Sequence, residues 1–444
     1  MKPKPSIFTS HGSKLQVIKT KLSDLVHPSH PLVSLASEMN WPNFDETYGC
    51  YYSYDQGRPA LPTRLLVGLH YLKYAYNLSD DATVIQFLEN PYWQFFCGNE
   101  YFEHELPCHP TTLSRWRKRI GIKGSEAMLK ETIELGRRKK IIPDSELSRV
   151  VADTTVQEKA ITYPTDAKLY HKARQKLVIE CRKRGIKLRQ TFVRSGPKIL
   201  LQYARYRHQK KSKLAKRALK KLKTFLGRVI RDIQRQTPEP PPELRQLLAQ
   251  AESILSRHPK QKDKIYSLHA PEVSCIAKGK AKKKYEFGSK VSIATTAKSC
   301  WILAVQSFQG NPYDGHTLSD TLWMVKQLHN IWPDEVYLDQ GYKGFDGLVW
   351  GSQAYIAGKA KNPPLNIKRR SSIEPVIGHM KHDHRLGRNY LLGEKGDGIN
   401  AVMSGAGFNL RKLMAIVRVG IERVFEGFCL ILDPNHSLKF LCTL

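Results

Sequence analysis

Apolar residues recur every three or four positions in the segment from about 60 to 97, which is the spacing of one buried helix face. The stretch "NLSDDAT" interrupts this pattern, and Ser79 or Asp80 within it is a good N-cap for a second helix. The pattern therefore predicts two packed helices. Their buried positions are Leu65, Leu66, Leu69, Tyr71 and Leu72 in the first helix and Val84, Ile85 and Leu88 in the second.

The next stretch, "HPTTLSRWRKRIG", predicts a short helix that begins at Thr111 or Thr112. A cationic helix after two packed helices is typical of a helix-turn-helix-like unit that contacts DNA. The alternative is a helix whose charged face is only solvated and whose Trp116 belongs to the core. The cations expected on the exposed side around Trp116 are Arg115, Arg117, Lys118 and Arg119.

A change of pattern follows. "LSRVVADTTVQE" holds a short β-branched run at Val150 and Val151, which predicts a strand that ends at Asp153. Helical periodicity returns from 166 to 264, where "TPEPPPE" breaks it, and this indicates a helical hairpin. The apolar stripe of its main helix is Leu214, Ala218, Leu222, Phe225 and Val229.

This same segment, 166 to 264, is strongly basic. It contains 29 Lys and Arg against seven Asp and Glu, a net charge of +22. A run of charge is usually a solvated face, but this imbalance is too large for that reason alone. We therefore predict that the segment contacts the DNA backbone.

From residue 265 onward the sequence predicts strands mixed with helices. "VSCIAKG", "YEFGSKVSIATTA" and "CWILAVQSFQG" are short β-rich runs, "DEVYLDQGYKG" is a strand that ends at Asp339, and "QAYIAGK" is a further short strand. "GINAVMSGAGFNLRKLMAIVRVGI" predicts a long apolar helix packed on the sheet. This order predicts a mixed α/β sheet covered by helices. The amphipathic helix in "HTLSDTLWMVKQLHNIW" has Leu318, Leu322, Val325 and Leu328 on one side.

The net charge of the chain indicates what kind of partner it binds. The 444 residues carry a formal charge of +32, with 72 Lys and Arg against 40 Asp and Glu, which favours a polyanion such as nucleic acid. A membrane surface is the competing partner, but no apolar run reaches the roughly 18 residues of a spanning helix. The eight cysteines form no CxxC pair, which fits a reducing compartment. "CGNEYFEHELPCH" resembles a metal site only faintly, because its spacing fits no standard zinc finger.

Three carboxylates are candidates for chemistry. Asp153 and Asp339 follow predicted strands, and Glu374 lies at the start of a late helix in "RRSSIEPVIGHMKHDHRLGRNYL". Carboxylates that meet at a sheet edge can hold two Mg²⁺ ions about 4 Å apart. The alternatives are a turn or cap at either Asp and a capping box between Ser371 and Glu374. Pro375 weakens the capping box, because an N-cap at Ser371 would put this proline where a helical N–H is needed.

These residues lie in motifs that closely resemble bacterial insertion-sequence transposases of the Asp-Asp-Glu type, in the insertion sequence five group. The motifs are "VADTTVQEKA", "YEFGSKVSIATT", "GNPYDGHTL", "YLDQGYKG" and the stretch around Glu374, and they occur in the family's order. The resemblance implies a ribonuclease-H-like catalytic core with Asp153, Asp339 and Glu374 as its catalytic metal ligands. It also implies two Mg²⁺ ions, for which Mn²⁺ could substitute.

A related insertion-sequence signature maps onto the same region. Arg370, Glu374 and Lys381 match it, whereas Ile367 stands where the signature has Tyr. Glu374 and Lys381 are two helical turns apart, so Lys381 and Arg370 can bind DNA phosphates beside the carboxylate. The resemblance also covers "NPYDGHTL", in which Asp314 can support the metal ligands or cap a helix. His379, His382 and His384 are expected in phosphate or structural roles.

The predicted architecture is an α/β protein. It has a helical N-terminal DNA-binding domain at 1–145, a core split between 146–165 and 265–444, and a basic helical insertion at 166–264. The resemblance implies a DNA transposase that binds the inverted-repeat ends of its element, cleaves DNA and transfers strands into target DNA. A homodimer or larger synaptic complex in the cytoplasm, associated with the nucleoid, is expected. The alternatives are a nuclease of the same fold and a catalytically inactive DNA-binding descendant.

Overall fold

The computed structural model describes residues 19–53, 59–258, 261, 264–277, 284–343, 351–358 and 370–432. The N-terminal part of the chain is helical, as predicted, and Ser79 caps the second predicted helix by accepting a hydrogen bond from the Ala82 N–H at 3.0 Å. The predicted buried residues of these helices are buried or half-buried except Ile85, which is 50% exposed. The helices are α1 (Leu22–Leu25), α2 (Pro31–Glu38), α3 (Trp41–Gly49), α4 (Thr63–Ala75), α5 (Asp80–Glu89), α6 (Pro91–Phe96), α7 (Pro110–Arg138) and α8 (Asp144–Leu147).

Helix α7 is longer than the short cationic helix that the sequence indicates. His109, and not Thr111 or Thr112, caps it, because the His109 ring accepts from the Thr111 N–H. The helix bends at Gly121, whose φ of 62° is a left-handed conformation that glycine adopts without strain. The bend separates the cationic first segment from a second segment, and both segments bury residues in the core.

In the described ranges, six strands form a mixed sheet. The strand order in the sheet is β2-β3-β1-β5-β6, and β4 pairs with the part of β3 that β2 does not reach. Strand β3 is antiparallel to β1, β2 and β4. Strands β1, β5 and β6 are parallel to one another. An antiparallel hairpin unit followed by parallel strands matches the predicted mixed α/β sheet. The strands are β1 (Arg149–Glu158), β2 (Ser274–Ala277), β3 (Tyr285–Thr296), β4 (Ile302–Phe308), β5 (Glu335–Leu338) and β6 (Gln353–Ile356).

Strand β1 does not end at Asp153, so that prediction is wrong. The pairing of β1 with β5 ends at Val151, but its pairing with β3 continues to Glu158. A strand needs only one hydrogen-bonded neighbour to stay extended, and β3 supplies it for residues that β5 no longer reaches. Asp153 therefore lies inside β1, just beyond the last residue paired with β5.

The segment between β1 and β2 forms four helices rather than a hairpin. They surround a hydrophobic core of their own, to which Leu222, Val229 and Leu248 contribute. Ala218, Leu222 and Val229 of the predicted stripe are buried and Phe225 is half-buried, whereas Leu214 is 36% exposed. The helices are α9 (Asp166–Lys183), α10 (Ser195–His208), α11 (Ser212–Gln236) and α12 (Pro242–Leu255).

One hydrophobic core joins the N-terminal helices to the sheet. Its buried members lie between Leu32 and Leu413 in the sequence. The long last helix packs on α7, α4 and β4, and its approach to α4 is so close that a Cβ at Gly407 would lie 2.6 Å from the Tyr74 carbonyl carbon. The remaining helices are α13 (Asp314–His329), α14 (Ile373–Asp383) and α15 (Gly393–Leu432).

Candidate active site and DNA-binding surfaces

Asp153 and Asp339 lie at matching positions on neighbouring parallel strands. Val151 of β1 is the register partner of Tyr337 of β5, and each aspartate is two residues further along its chain. Side chains two residues apart on a strand share a face, and neighbouring strands are about 4.8 Å apart. Both aspartates are half-buried. The sheet thus brings together two carboxylates that are far apart in the sequence.

The turn after β5 uses the Asp339 side chain. One of its carboxylate oxygens accepts from the Gly341 N–H at 2.8 Å and so begins a 3₁₀ turn, Gln340–Tyr342. This is the turn role that was the alternative for Asp339. A carboxylate has two oxygens and about four lone-pair directions, so one hydrogen bond does not prevent it from binding a cation.

A third aspartate joins this pair. Asp314, the first residue of α13, accepts from the Thr154 hydroxyl and from the Lys290 ammonium group, each at 2.8 Å. The point where a Cβ on Gly341 would lie is 3.0 Å from an Asp314 oxygen and 2.9 Å from an Asp339 oxygen. Asp314 is therefore a site residue, and no helix N-cap, since Tyr313 precedes α13 in that position.

The pKa of the Tyr342 hydroxyl responds to the negative charge of this site. Tyr342 is fully buried, and its hydroxyl lies in the field of Asp153, Asp314 and Asp339. Burial, and then these three carboxylates, raise the pKa of the Tyr342 hydroxyl well above its ordinary value, while the Thr317 side chain opposes the rise. Three negative charges thus converge at this edge of the sheet.

Glu374 lies on α14, which packs against β1. Ser372 is the N-cap residue and makes no side-chain capping hydrogen bond, so Glu374 is at N2 and Pro375 at N3, where no N–H is required. The capping-box alternative therefore does not apply. Ile373, Val376 and Met380 face the core, while Glu374 is exposed beside them.

Arg370 and Lys381 lie on either side of this carboxylate along the chain. Arg370 is half-buried in the turn before α14, and Lys381 is half-buried near the end of α14. Glu374 and Lys381 share one side of the helix, as their spacing predicts. Ile367, where the related signature has Tyr, lies outside the described residues.

The chemistry of these side chains fits Mg²⁺. Carboxylate oxygens are hard ligands, and Mg²⁺ is usually bound through one or two carboxylates together with waters and substrate phosphates. Within the described ranges, no group of three or more His, Cys, Asp or Glu side chains is arranged so that it could hold a metal ion.

Two of the three histidines near Glu374, His384 and His379, have structural partners. His384 is buried, and its Nδ1 is 3.0 Å from the Tyr74 carbonyl oxygen. Burial is the main cause that lowers the pKa of His384. His379 pairs with Asp383 at 2.7 Å, one helical turn further on.

In "CGNEYFEHELPCH", the Cys97 thiol is buried against Gly68, and burial raises its pKa.

Three of the four cations predicted around Trp116 are exposed, and one is not. Arg115, Lys118 and Arg119 lie on the surface, with the Arg119 guanidinium 4.9 Å from the Tyr52 ring centroid. Arg117 is only 2% exposed, so its predicted exposure is wrong. The reason is its spacing, since Leu113, Trp116, Arg117 and Ile120 form one i, i+3, i+4, i+7 stripe that faces the core.

Arg117 belongs to a buried charge cluster. Its guanidinium donates two hydrogen bonds to Asp80, at 2.7 and 2.5 Å, and the Lys73 ammonium donates to Asp80 at 2.6 Å. Burial is the main cause that lowers the pKa of Lys73 to about 7, with the nearby Arg117 charge second. Burial alone would raise the pKa of Asp80, but Arg117 and Lys73 together bring it well below its usual range.

Sequence reasoning missed the roles of two residues in this region. Lys290 was not singled out, and only its place in "YEFGSKVSIATT", as a cation among the mostly uncharged residues of β3, could have indicated its role. Arg117 could have been placed correctly from its helical spacing.

In the part of the chain that is described, no helix is long and apolar enough to cross a membrane.

The comparisons with known proteins concern the family of the chain and leave the carboxylates at 153, 339 and 374 untested. The family model described as "Transposase domain (DUF772)" matches residues 20–119, which span α1 to α6 and the cationic start of α7. "Uncharacterized protein ORF8 in nfe locus" of Rhizobium meliloti is 45% identical over 197 residues, which is 44% of this chain and 95% of that protein. No solved structure matches the chain. From these similarities, the chain belongs to a transposase-related family.

Proposed function

We propose that the protein is a DNA transposase of the Asp-Asp-Glu type with a ribonuclease-H-like core. The observation that carries this proposal is the matched position of Asp153 and Asp339 at the end of the β1–β5 pairing, with the Glu374 helix packed on β1. The transposase domain at 20–119 and the formal charge of +32 support DNA as the substrate. The mixed sheet with an antiparallel hairpin before its parallel strands supports the proposed core.

In this proposal Asp153, Asp339 and Glu374 hold Mg²⁺, which when bound would lower the cost of charge on the reacting phosphate. Water attacks a phosphorus atom at the element end, and the bond to the 3′ oxygen breaks to give a 3′-hydroxyl and a 5′-phosphate. The 3′-hydroxyl then attacks a target phosphorus, and a new phosphodiester forms as the target bond breaks. Arg370 and Lys381 would bind phosphates next to the reacting one, and a dimer would bring two ends together.

Asp314 has a positioning role in this scheme. Through Thr154 it fixes the backbone next to Asp153, and through Lys290 its own charge is balanced. We expect Asp314→Asn to slow DNA cleavage by about 10- to 100-fold, the usual effect of losing a partner that orients a metal ligand. Cleavage rates as a function of Mg²⁺ concentration measure this effect, since weaker positioning also raises the Mg²⁺ requirement.

Asp320→Asn is the matched control, because Asp320 is an exposed aspartate further along the same helix. Equal cleavage rates and equal Mg²⁺ dependence for Asp314→Asn and Asp320→Asn would remove Asp314 from the site.

The proposed DNA contact of the basic insertion involves the outer face of α11. Lys216, Lys220 and Lys223 are exposed there on the side opposite the buried stripe. Each lysine that contacts a phosphate contributes about one unit to the slope of log affinity against log salt concentration. We expect replacing all three by alanine to weaken binding to the inverted-repeat end and to reduce that slope by about two to three.

The same three positions replaced by arginine are the control, because arginine keeps the charge. Fluorescence anisotropy over a range of salt concentrations, with DNA taken from the repeats that flank the gene, provides the measurement. If the alanine variant keeps the wild-type slope, α11 does not contact DNA and the insertion is a spacer.

A further inference from the structure

A cleft of about 780 Å³ separates the N-terminal helices from the segment that joins α14 to α15. One wall is the buried cluster of Lys73, Asp80 and Arg117, and the other carries Arg385, Arg388 and Tyr390 among its side chains. None of the carboxylates Asp153, Asp339 and Glu374 and none of the α11 lysines lines this cleft, and Lys381 is the one proposed phosphate contact beside Glu374 that does. Its volume lies within the range of pockets that hold small-molecule ligands and is of the size of one or two nucleotides.

The exposed side of the cleft combines an aromatic ring with cations. Tyr390 is 61% exposed, and the guanidinium carbons of Arg385 and Arg388 each lie 5.7 Å from its ring centroid. Arg385 is held in place because it donates a hydrogen bond to the Asn77 carbonyl oxygen at 3.2 Å. An exposed aromatic ring beside positive charge is the arrangement on which proteins stack an unpaired base next to its phosphate.

The charges in the cleft favour an anion. Lys73 and Arg117 are balanced by Asp80 in their own wall. On the other side Lys381, Arg385 and Arg388 line the cleft, and Asp81 is the one further acid among the lining residues that the structure describes. The cleft therefore has a positive field at its mouth, which attracts phosphate.

The cleft lies near Glu374 along α14. Lys381 lines the cleft and lies seven residues after Glu374 on α14. Seven residues of α-helix rise by about 10 Å, which is about three base-pair steps of B-DNA. A DNA strand whose phosphodiester lies at the carboxylates can thus reach the cleft within a few nucleotides.

We propose that this cleft binds an unpaired nucleotide near the end of a DNA strand, with its phosphate against Arg385 and Arg388 and its base on Tyr390. The proposal rests on the proposed function, because it takes DNA to be the substrate. It adds a preference, because only an unpaired base exposes a face that can stack on Tyr390. The protein is therefore expected to bind a frayed DNA end more tightly than a fully paired one.

The test compares the full-length protein on two duplexes of equal length, one fully paired and one with about three mismatched pairs at an end, by fluorescence anisotropy. Wild type is expected to favour the frayed duplex. Tyr390→Ala is expected to lose about tenfold in affinity for the frayed duplex alone, the usual effect of removing one stacked base. Tyr390→Phe keeps the ring and is expected to keep the preference.

Tyr163→Ala is the matched control, because the Tyr163 side chain is also 61% exposed and lies outside the cleft. An unchanged ratio of frayed to paired affinity in Tyr390→Ala would overturn the proposal, and so would a wild-type preference for the fully paired duplex. Both results leave the proposed function intact. Wild-type protein that binds neither duplex would instead overturn the proposed function itself.

Discussion

Alanine at Asp153, Asp339 or Glu374 is expected to abolish cleavage and joining of element ends while DNA binding persists. The three carboxylates are proposed to hold the metal ions, and each loss removes several kcal/mol of transition-state stabilisation, or about a thousandfold in rate. Binding depends on cations elsewhere, so it is expected to survive. Gel analysis of cleaved and joined products, together with anisotropy on the same DNA, separates the two effects.

The control for this prediction is a set of exposed acids on neighbouring elements. Asp320→Ala on α13 and Glu394→Ala at the start of α15 change charge equally without touching the proposed site. A variant of Asp153, Asp339 or Glu374 that still joins ends at nearly the wild-type rate would remove that residue from the site.

The second large effect is a loss of folding stability that we expect when Asp80 is replaced by asparagine. Lys73 and Arg117 have side chains only 4% and 3% exposed, and Asp80 is their common partner. Asp80→Asn leaves two buried like charges without a counter-ion, which typically costs about 3–5 kcal/mol. Urea unfolding followed by circular dichroism at pH 6 measures the loss as a lower unfolding midpoint.

The effect also has a predicted pH dependence. The pKa of Lys73 is about 7 in the native protein, below its ordinary value, so Lys73 is charged in the native state only below about pH 7. The cost of Asp80→Asn is therefore expected to be largest at pH 6 and smaller near pH 9, where native Lys73 is neutral.

Asp81→Asn is the matched control, because Asp81 is the next residue, also in the first turn of α5, but exposed. Equal unfolding midpoints for Asp80→Asn and Asp81→Asn would mean that the buried cluster contributes no net stability.

The sequence was a good guide wherever one periodic pattern decided the structure. The stripe in α13 and the strands after residue 265 appear where they were predicted, because a single buried face determines each of them. Arg117 was misplaced because its charge was given more weight than its spacing. Asp153 was placed at a strand end because a single segment does not reveal which neighbouring strand continues to pair.

The site and the cleft depend on contacts that no local pattern contains. Asp153 and Asp339 meet only through the parallel register of β1 and β5. The cleft is closed by segments such as those of Asn77 and Arg385, which are 308 residues apart and joined by one hydrogen bond. Spacing within a motif cannot predict contacts of this kind. The resemblance to a known family pointed to the three carboxylates and to Asp314, whereas the contact of Lys290 with Asp314 needed the structure.

A strand-transfer reaction tests the central proposal most directly. Labelled DNA from the flanking inverted repeat is incubated with the protein, a target plasmid and Mg²⁺, and the products are sequenced across the junctions. The proposal predicts that the 3′ end of the repeat becomes covalently joined to target DNA, and that Asp339→Ala gives no junctions. Cutting without joining would indicate a nuclease, and tight binding without any cutting would indicate an inactive DNA-binding protein; either result contradicts the proposed transposase.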